Sequence, residues 1–373
     1  MENIVHVVGR FPPPLDGQSI ATARLASLLE SAYEVRRHDT AYKEQALMPG
    51  GLWERVATTL HYASHRRQLF GALARAPEAP VLWCSISPGF LGHVRDVAVT
   101  APCFRPQQPV WSVIHRGNFD RVFRRRLTRP TIRALVKRLR GFVFLSRRLA
   151  NQVSLWVPPD KLCVIPNTID AAVVSTPGEV VLKRLEKSGR SQLRLLFLSN
   201  MIREKGYLDV LDAAALLKAK GLPISMTFVG RWNDKMDRDA FYNRMSSLGV
   251  SDVVRHRGAV YDRAAIKALH LESDVLVMPT YYRDEGQPLV IIESLAAGTP
   301  VLVTGHASIP EMVMDGREAL FVRPRSPEDI AMAAEKLAEP DVWAHASGCA
   351  RQRFESYFSE EVVRRRWLGL LRT

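Results

Sequence analysis

The sequence predicts an α/β protein with two domains, each built on a parallel sheet that is covered by helices on both faces. Short and almost wholly apolar segments alternate with longer amphipathic ones, which is typical of buried parallel strands joined by helices. The length of 373 residues corresponds to two domains at about 150 residues each. The alternation weakens once, at residues 167–190, and then starts again. Together these observations predict two similar halves.

Each strand is predicted from a run of β-branched and apolar residues, and each helix from apolar residues at helical spacing. In the first half the predicted strands are Ile4–Val8, Val81–Ser85, Val110–His115 and Gly141–Leu145. In the second half they are Leu193–Leu198, Ser225–Val229, Val275–Met278, Val301–Thr304 and Leu320–Val322. The predicted helices include Ser19–Ser31, Trp53–Arg75, Gly206–Lys220, Leu289–Ala297 and the basic amphipathic segment Ser359–Leu371.

The stretch at residues 167–190, where the alternation of strands and helices weakens, sets the predicted domain boundaries. We expect a first domain at residues 1–170, a linker at 171–190 and a second domain at 191–354. The C-terminal helix, within residues 355–373, is expected to pack back on the first domain. Sheets of this kind bind ligands beyond the carboxyl ends of their strands and at helix N-termini. The two sheets are therefore expected to face a central cleft.

The chain carries a large positive charge. Lys and Arg number 52 and Asp and Glu number 38, which gives a formal net charge of +14. This surplus predicts an anionic partner: nucleic acid, an anionic lipid surface or phosphorylated small molecules. Residues 116–148 hold twelve basic residues and one acid, Asp120, and Arg364–Arg366 precede Trp367. Both clusters suit an anionic membrane surface or a lipid pyrophosphate, and a solvated basic face is the alternative.

Several function classes lose support. The four cysteines, Cys84, Cys103, Cys163 and Cys349, form no C-x-x-C pair and are typical of core thiols in a reducing compartment. No signal-peptide pattern and no run of about 18 apolar residues is present, so we expect a cytoplasmic protein or one attached to the membrane from the cytosol. The phosphate-binding loop of ATPases and the G-x-G-x-x-G fingerprint of dehydrogenases are both missing.

The strongest chemical signal is the segment Asp284–Thr304, in which Glu285 and Glu293 are separated by seven residues. Proline suits the first position of a helix, so the helix is predicted to begin near Pro288. Glu285 then lies in the loop before this helix, and Glu293 lies one turn inside it.

The N-terminus of this helix is predicted to bind an anion. The backbone N–H groups of Leu289 and Val290 lack intrahelical acceptors and point outward with the positive end of the helix. Two carboxylates flank them, and a carboxylate can accept hydrogen bonds from vicinal hydroxyls. The site therefore suits a phosphorylated sugar or ribose better than a bare phosphate. A surface helix with solvated glutamates is the alternative.

These residues carry a resemblance to a known family. The E-x7-E loop and helix, followed by A-x-G-x-P-V, resembles the donor site of retaining glycosyltransferases of family 4, which have the GT-B fold of two Rossmann-like domains. Further segments resemble the family in the same order along most of the chain, at residues 1–29, 142–150, 163–170, 193–217 and 308–322.

The resemblance implies roles for individual residues. Glu293 would hold the nucleotide ribose, and Glu285 would lie beside the hydroxyls of the transferred sugar. Lys205, directly before Gly206, would neutralise the diphosphate and stabilise the charge that develops on it. His115, at a strand end, would orient the sugar or acceptor by hydrogen bonding.

The sequence departs from the family at four places. Asn200 stands where the family usually has a second diphosphate-binding arginine, and Arg203 is the residue that could replace it from the loop. Gln287 and Pro288 replace the F-G of E-G-F-G, and Ala307-Ser308 replaces a glycine pair. The glycine pair of the first loop is reduced to Gly17, which alone is also consistent with a tight turn.

Metal binding receives little support from the sequence. His61 and His65 have the i,i+4 spacing of a zinc helix, but Tyr62 replaces the glutamate of H-E-x-x-H. Asp237-Arg238-Asp239 matches D-x-D, yet it lies at the start of a charged helical stretch, where acidic residues stabilise a helix N-terminus. We therefore expect neither a metal nor a cofactor, with a nucleoside diphosphate sugar as substrate.

The resemblance implies a retaining glycosyltransferase. It would move a sugar from a UDP- or GDP-linked donor to a hydroxyl of a lipid-linked saccharide at the cytoplasmic membrane face, in bacterial polysaccharide, lipopolysaccharide or glycolipid assembly. The first half would bind the acceptor and the second half the donor. Another GT-B enzyme, such as a sugar epimerase or phosphorylase, is one alternative. A basic nucleic-acid-binding protein is another, although the sequence holds no recognition module.

Overall fold

The computed structural model describes residues 3–13, 16–40, 64–84 and 86–372. Contacts divide the chain into two units. Unit 1 consists of Met1–Asn167 and Val363–Thr373, and unit 2 consists of Thr168–Val362. Each unit contains one six-stranded sheet in which all strand pairs are parallel.

The sheet of unit 1 has the strand order β2-β1-β3-β4-β5-β6. Its strands are β1 (Ile4–Gly9), β2 (Glu34–Asp39), β3 (Val81–Trp83), β4 (Val110–Ile114), β5 (Gly141–Phe144) and β6 (Leu162–Val164). Its helices are α1 (Gly17–Leu29), α2 (residues 64–74), α3 (Phe90–Arg95), α4 (Arg121–Arg124), α5 (Arg129–Arg138) and α6 (Arg147–Asn151). Because β2 and β3 lie on opposite sides of β1, the strand order reverses there, at the edge where such sheets bind ligands.

The sheet of unit 2 has the order β12-β11-β10-β7-β8-β9. Its strands are β7 (Leu193–Leu198), β8 (Ile224–Val229), β9 (Val254–His256), β10 (Val275–Met278), β11 (Val301–Val303) and β12 (Ala319–Phe321). Its helices are α7 (Pro177–Ser188), α8 (Tyr207–Ala219), α9 (Lys235–Ser247), α10 (Arg263–Glu272), α11 (Leu289–Ala296), α12 (Ile309–Met312), α13 (Pro327–Ala338) and α14 (Pro340–Arg353). The order reverses between β7 and β10.

Apolar side chains fill both faces of each sheet. In unit 2 one cluster packs Phe197 and Phe228 of the sheet against α8, α9 and α13, and the other packs β10 and β11 against α11. The strand residues Leu276 and Val277 point to opposite faces and are both fully buried, as expected for parallel strands covered on two sides. This packing fixes the strand ends from which the functional loops leave.

The predicted strands are all present with small shifts at their ends, but three strands were not predicted. These are β2, β6 and β9, and each lies at an edge of its sheet. β2 has the sequence EVRRHD and is exposed or half-buried along its length. An edge strand has one open side and does not need a continuous apolar run, so it lacks the signal that marks the central strands.

The segment 171–190, expected as a linker, contains a regular helix. Thr176 and Glu179 form a reciprocal capping box at the start of α7, and Pro177 occupies its first turn. Its buried face includes Val180 and Lys183. The Thr, Pro and Gly content of this stretch therefore marks the beginning of a helix.

The C-terminal helix α15 (Glu360–Leu371) packs on the core of unit 1. Val363 and Trp367 are almost fully buried there, and Leu368, Leu370 and Leu371 pack around them. The apolar face of this basic helix is therefore occupied by protein and is not available to a membrane, whereas Arg365 on the same helix is exposed. None of the helices in the described residues combines the length and apolarity needed to cross a bilayer.

Candidate active site

Lys205 and Glu285 meet at the point where the strand order of unit 2 reverses. Lys205 follows β7 and Glu285 follows β10, and these two strands are neighbours in the sheet. The Nζ of Lys205 lies 2.5 Å from Oε2 of Glu285, and the two side chains are only 11% and 9% exposed. The ammonium also lies 4.9 Å from the ring centre of Tyr282. The structure thus brings together two of the residues that the resemblance assigns to the diphosphate and the sugar.

A close approach of two loops makes this pair possible. Gly206 has a φ of +85°, and a Cβ there would lie 2.8 Å from Cγ and 2.9 Å from the carbonyl oxygen of Pro279. The backbone N–H of Tyr281 donates to the carbonyl of Glu204 at 2.7 Å. Only glycine tolerates both the left-handed backbone and the contact. Gly206 therefore sets the position from which Lys205 reaches Glu285.

The loop between β10 and α11, which carries Glu285, is fixed by hydrogen bonds from the segment after β11. Three side chains of that segment donate to backbone carbonyls of the Glu285 loop: Thr304 to Thr280, His306 to Tyr282 at 2.8 Å, and Ser308 to Gly286 at 2.5 Å. Thr280 in turn donates to Glu285 Oε2 at 3.3 Å. The Glu285 carboxylate is thus fixed by Lys205 and by a chain of hydrogen bonds.

Helix α11 begins at Leu289, where the predicted helix Leu289–Ala297 also begins. Pro288 is its N-cap residue with a ψ of 114°, and its ring leaves it no N–H to donate. Ile291 donates to the Pro288 carbonyl at 3.2 Å, while the first two N–H groups, of Leu289 and Val290, have no intrahelical acceptor. Gln287, directly before the cap, is buried.

Two basic side chains hold the opposite end of α11. Arg351 donates to the carbonyl of Ala296 at 2.6 Å, and Lys183 donates to that of Ala297 at 3.4 Å. The positive charge of Arg351 at the helix C-terminus complements the helix dipole. These contacts fix the helix whose N-terminus faces the Glu285 loop.

Glu293 lies one turn inside α11, as predicted, and its carboxylate has an unusual environment. The residue is 8% exposed. Two nitrogen-bearing side chains approach it: Arg263, with Nη1 at 4.0 Å from Oε1, and His270, with Nε2 at 3.6 Å from Oε2. Both distances exceed hydrogen-bond length, so the oxygens keep their capacity to accept hydrogen bonds. Arg263 and His270 were not predicted, because their approach to Glu293 joins two separate helices.

The side chain of Arg203 is 60% exposed and is paired with a carboxylate. It lies in the single turn Arg203–Lys205 and its Nε is 2.8 Å from Oδ1 of Asp237 on α9. Asp239 pairs with Arg238 at 3.0 Å. Asp237 thus lies in the first turn of α9, where the sequence predicted helix-stabilising charge, Asp239 lies beyond that turn, and both carboxylates pair with arginines. Asn200 is exposed in the loop after β7.

The other predicted residues lie in unit 1. Gly17 is the first residue of α1, and a Cβ there would meet no atom within 4 Å, so packing does not require glycine. Gln18 donates to the carbonyl of Cys84 at 2.8 Å and thus connects the loops after β1 and β3. His115 follows β4, and both ring nitrogens are buried without a hydrogen-bond partner among the described residues. Burial lowers the pKa of His115 to about 4, so its ring is neutral at pH 7.

The residues that the structure describes contain no cluster of three His, Cys, Asp or Glu side chains that could hold a metal. His61 lies outside the described residues. A groove of about 1330 Å³ in unit 1 is lined by Gln108, Arg140 and Lys161 among others. These residues precede β4, β5 and β6, so the groove lies at the amino ends of the strands, opposite the edge that carries Gly17 and His115.

Comparison with known proteins finds a family-model match in the region around the Lys205–Glu285 pair. Residues 183–350, all in unit 2, match the family model of glycosyl transferases group 1. The chain is 22% identical over 355 residues to a putative colanic acid biosynthesis glycosyltransferase, WcaL, of Salmonella typhimurium, which covers 89% of this chain and 82% of WcaL. It is 28% identical over 180 residues to a D-inositol 3-phosphate glycosyltransferase of Paenarthrobacter aurescens, which covers 48% of this chain and 43% of that enzyme.

Among solved structures, Anabaena HepE in complex with UDP and glucose is similar over 100% of both chains, with a TM-score of 0.71 and 14% sequence identity. At this identity the likeness shows the fold, which is the GT-B arrangement of two parallel six-stranded sheets with helices. Residues 183–350 match the glycosyl transferases group 1 model, and together with the fold this match supports a GT-B glycosyltransferase.

Proposed function

We propose that this chain is a retaining glycosyltransferase that uses a UDP- or GDP-linked sugar and acts on a hydroxyl of a lipid-linked saccharide in bacterial polysaccharide or glycolipid assembly. The observation that carries the proposal is the Glu293 carboxylate. It is buried one turn inside α11, and no hydrogen bond from the described chain reaches it. A buried carboxylate with unused acceptor positions suits a ligand with paired hydroxyl donors, and a ribose has two.

Lys205 and the N-terminus of α11 would bind the diphosphate. Lys205 is already almost buried, so a phosphate oxygen that replaces Glu285 as its partner would meet an ammonium with little water around it. Such a contact is stronger than one in bulk water. The N–H groups of Leu289 and Val290 add donors on the same side, and Glu285, released from Lys205, would accept hydrogen bonds from the transferred sugar.

The proposed reaction keeps the configuration of the sugar. The bond from the anomeric carbon to the diphosphate oxygen breaks, and the acceptor oxygen forms a new bond on the same face. The departing diphosphate takes the proton of the acceptor hydroxyl. Lys205 and the helix N-terminus would stabilise the charge that develops on the diphosphate. His115, which is neutral at pH 7, would orient the sugar or acceptor by a hydrogen bond.

One surface of unit 1 suits contact with a membrane that carries the lipid-linked acceptor. Leu91 on α3 is 80% exposed and Leu127, before α5, is 76% exposed. His93 of α3 is bonded to Thr131 of α5 at 2.8 Å, so the two helices are held together. The exposed arginines Arg124–Arg126 directly precede Leu127. Apolar tips beside basic side chains are typical of peripheral binding to anionic bilayers.

Two similar proteins support this proposal. WcaL is a putative colanic acid biosynthesis glycosyltransferase, and HepE has been solved with UDP and with UDP-glucose.

A donor screen tests the proposed function. The full-length protein is mixed with UDP- and GDP-linked sugars, and both the melting temperature and the release of nucleoside diphosphate are measured with and without membrane lipid extract. We expect one nucleotide class to raise the melting temperature, and its sugar to be transferred with retained anomeric configuration by NMR. No thermal shift and no turnover with any donor would contradict the proposal, and sugar conversion without an acceptor would indicate an epimerase.

A further inference from the structure

We propose that Arg263 and His270 are positioning residues that hold the Glu293 carboxylate in the orientation in which it meets the ribose, and so set a preference for ribonucleotide over 2′-deoxyribonucleotide donors. This inference rests on the proposed function, because it assigns the ribose to Glu293. It adds a pair of residues on α10 that the resemblance does not assign.

The two residues act from one face of one helix. Arg263 and His270 lie seven positions apart on α10, which is close to two full turns, so they present side chains on the same face. Each approaches a different oxygen of Glu293: Arg263 Nη1 is 4.0 Å from Oε1 and His270 Nε2 is 3.6 Å from Oε2. The carboxylate therefore has one nitrogen group beside each oxygen.

The distances give these groups a specific effect. Both nitrogen groups lie beyond hydrogen-bond length from the carboxylate oxygens. The Arg263 guanidinium attracts Oε1 by its charge, and the tautomer of His270 with its proton on Nε2 turns the positive end of its N–H dipole toward Oε2. The carboxylate is thus held from both sides while its lone pairs stay available to the 2′- and 3′-hydroxyls.

The ring of His270 is held in place by its backbone and by its burial. His270 is fully buried, and its ring nitrogens have no hydrogen-bond partner in the part of the chain that the structure describes. Its carbonyl accepts hydrogen bonds from Lys183 and from Thr299, both at 2.8 Å. The last turn of α10 is therefore fixed relative to α7 and to the segment after α11. An unpartnered polar ring that faces Glu293 from such a site is explained by a role toward that carboxylate.

The test compares affinities for UDP, GDP and their 2′-deoxy forms by calorimetry on the full-length protein. The variants are Arg263→Met, Arg263→Lys, His270→Phe and Glu293→Gln. Lys267→Met is the matched control, since Lys267 lies on the same helix, is 25% exposed against 26% for Arg263, and pairs with Glu179. Melting temperatures verify that each variant is folded.

We expect the wild type to bind the ribonucleotide about tenfold more tightly than the 2′-deoxy form. Arg263→Met and His270→Phe should each lower the ratio of ribonucleotide to 2′-deoxyribonucleotide affinity at least threefold, with little change in the affinity for the 2′-deoxy ligand. Arg263→Lys should retain most of the wild-type ratio. Lys267→Met should keep the wild-type ratio. A loss of the ratio in Glu293→Gln but not in Arg263→Met would overturn the positioning role and leave the proposed function intact. A wild type without a preference for ribose would also overturn it, and one that binds no nucleotide would overturn the proposed function itself.

Discussion

The ammonium of Lys205 lies 2.5 Å from a carboxylate oxygen of Glu285, although the two residues are 80 positions apart in the sequence. Each comes from a loop that follows one of two adjacent strands, β7 and β10. The pair marks the point at which the strand order of unit 2 reverses, where parallel sheets bind ligands. In the proposed account, a diphosphate exchanges this ion pair for contacts of its own.

Replacing Lys205 with Met removes the ammonium that the account assigns to the leaving diphosphate. We expect kcat/KM to fall by about 10²–10³-fold, the magnitude seen when one stabilising group is lost from a developing anion. Initial rates with the donor identified by the screen measure the effect. The control is Lys220→Met, whose side chain is 53% exposed and pairs with Glu335 on the surface. Equal losses in both variants would refute a specific role for Lys205.

Ala307→Gly should stabilise the protein. Ala307 has a φ of +49°, and the left-handed region costs a residue with a Cβ about 1–2 kcal/mol. The greater chain entropy of unfolded glycine offsets up to about 1 kcal/mol of this. We therefore expect a gain of up to about 1 kcal/mol in the free energy of unfolding, measured by urea titration. The control Ala338→Gly, in the last turn of α13, should lower the free energy of unfolding. If Ala307→Gly also lowers the free energy of unfolding, the backbone at Ala307 is not strained.

Lys183 makes stability depend on pH. Burial lowers the pKa of Lys183 from 10.5 to about 7, so between these values the unfolded chain binds the proton and the folded chain does not. Stability relative to Lys183→Met should therefore be lowest below pH 7 and rise by up to about 1.4 kcal/mol per pH unit above it, up to the unfolded pKa. Urea unfolding of both proteins at pH 6, 8 and 9 measures this difference. A difference that stays constant across these pH values would mean that Lys183 titrates normally.

The surface of unit 1 that carries Leu91 and Leu127 should bind anionic vesicles. Leu91→Asp and the double change Arg125→Ala and Arg126→Ala should each weaken binding, the latter by about 1 kcal/mol per arginine. Co-sedimentation with vesicles that contain phosphatidylglycerol, at low and high salt, measures the bound fraction. Leu185→Asp on α7, at a leucine that is 64% exposed, is the control. If the Leu91 and Leu185 variants bind equally well, this surface does not contact the membrane.

The sequence predicted the central strands and the position of Glu293 because both depend on local patterns. Strands such as Val275–Met278 are apolar at every position, and Pro288 marks the start of α11. The edge strands β2, β6 and β9 were missed because an open side removes the need for apolar residues. The basic helix α15 was expected both to pack back on unit 1 and to offer a membrane surface, because the sequence alone does not show which of its faces is covered by protein.

The residue types of one segment predicted only part of the site. Glu285, Glu293 and the helix N-terminus lie within a single stretch, so their relation is local, whereas Lys205 and His115 were assigned through the family resemblance. The contacts of Arg263 and His270 with Glu293, and of Arg203 with Asp237, join separate elements. Such contacts depend on how helices pack on the sheet, and no pattern in one segment contains that information.

The most direct test of the central claim is the binding of nucleoside diphosphate to Glu293→Gln, measured by calorimetry against the wild type. The change keeps the size of the side chain and removes its charge. Hydrogen bonds to a charged group contribute about 1.5–3 kcal/mol, so we predict an affinity at least tenfold lower, with an unchanged melting temperature of the free protein. An affinity equal to that of the wild type would contradict the assignment of the donor ribose to Glu293.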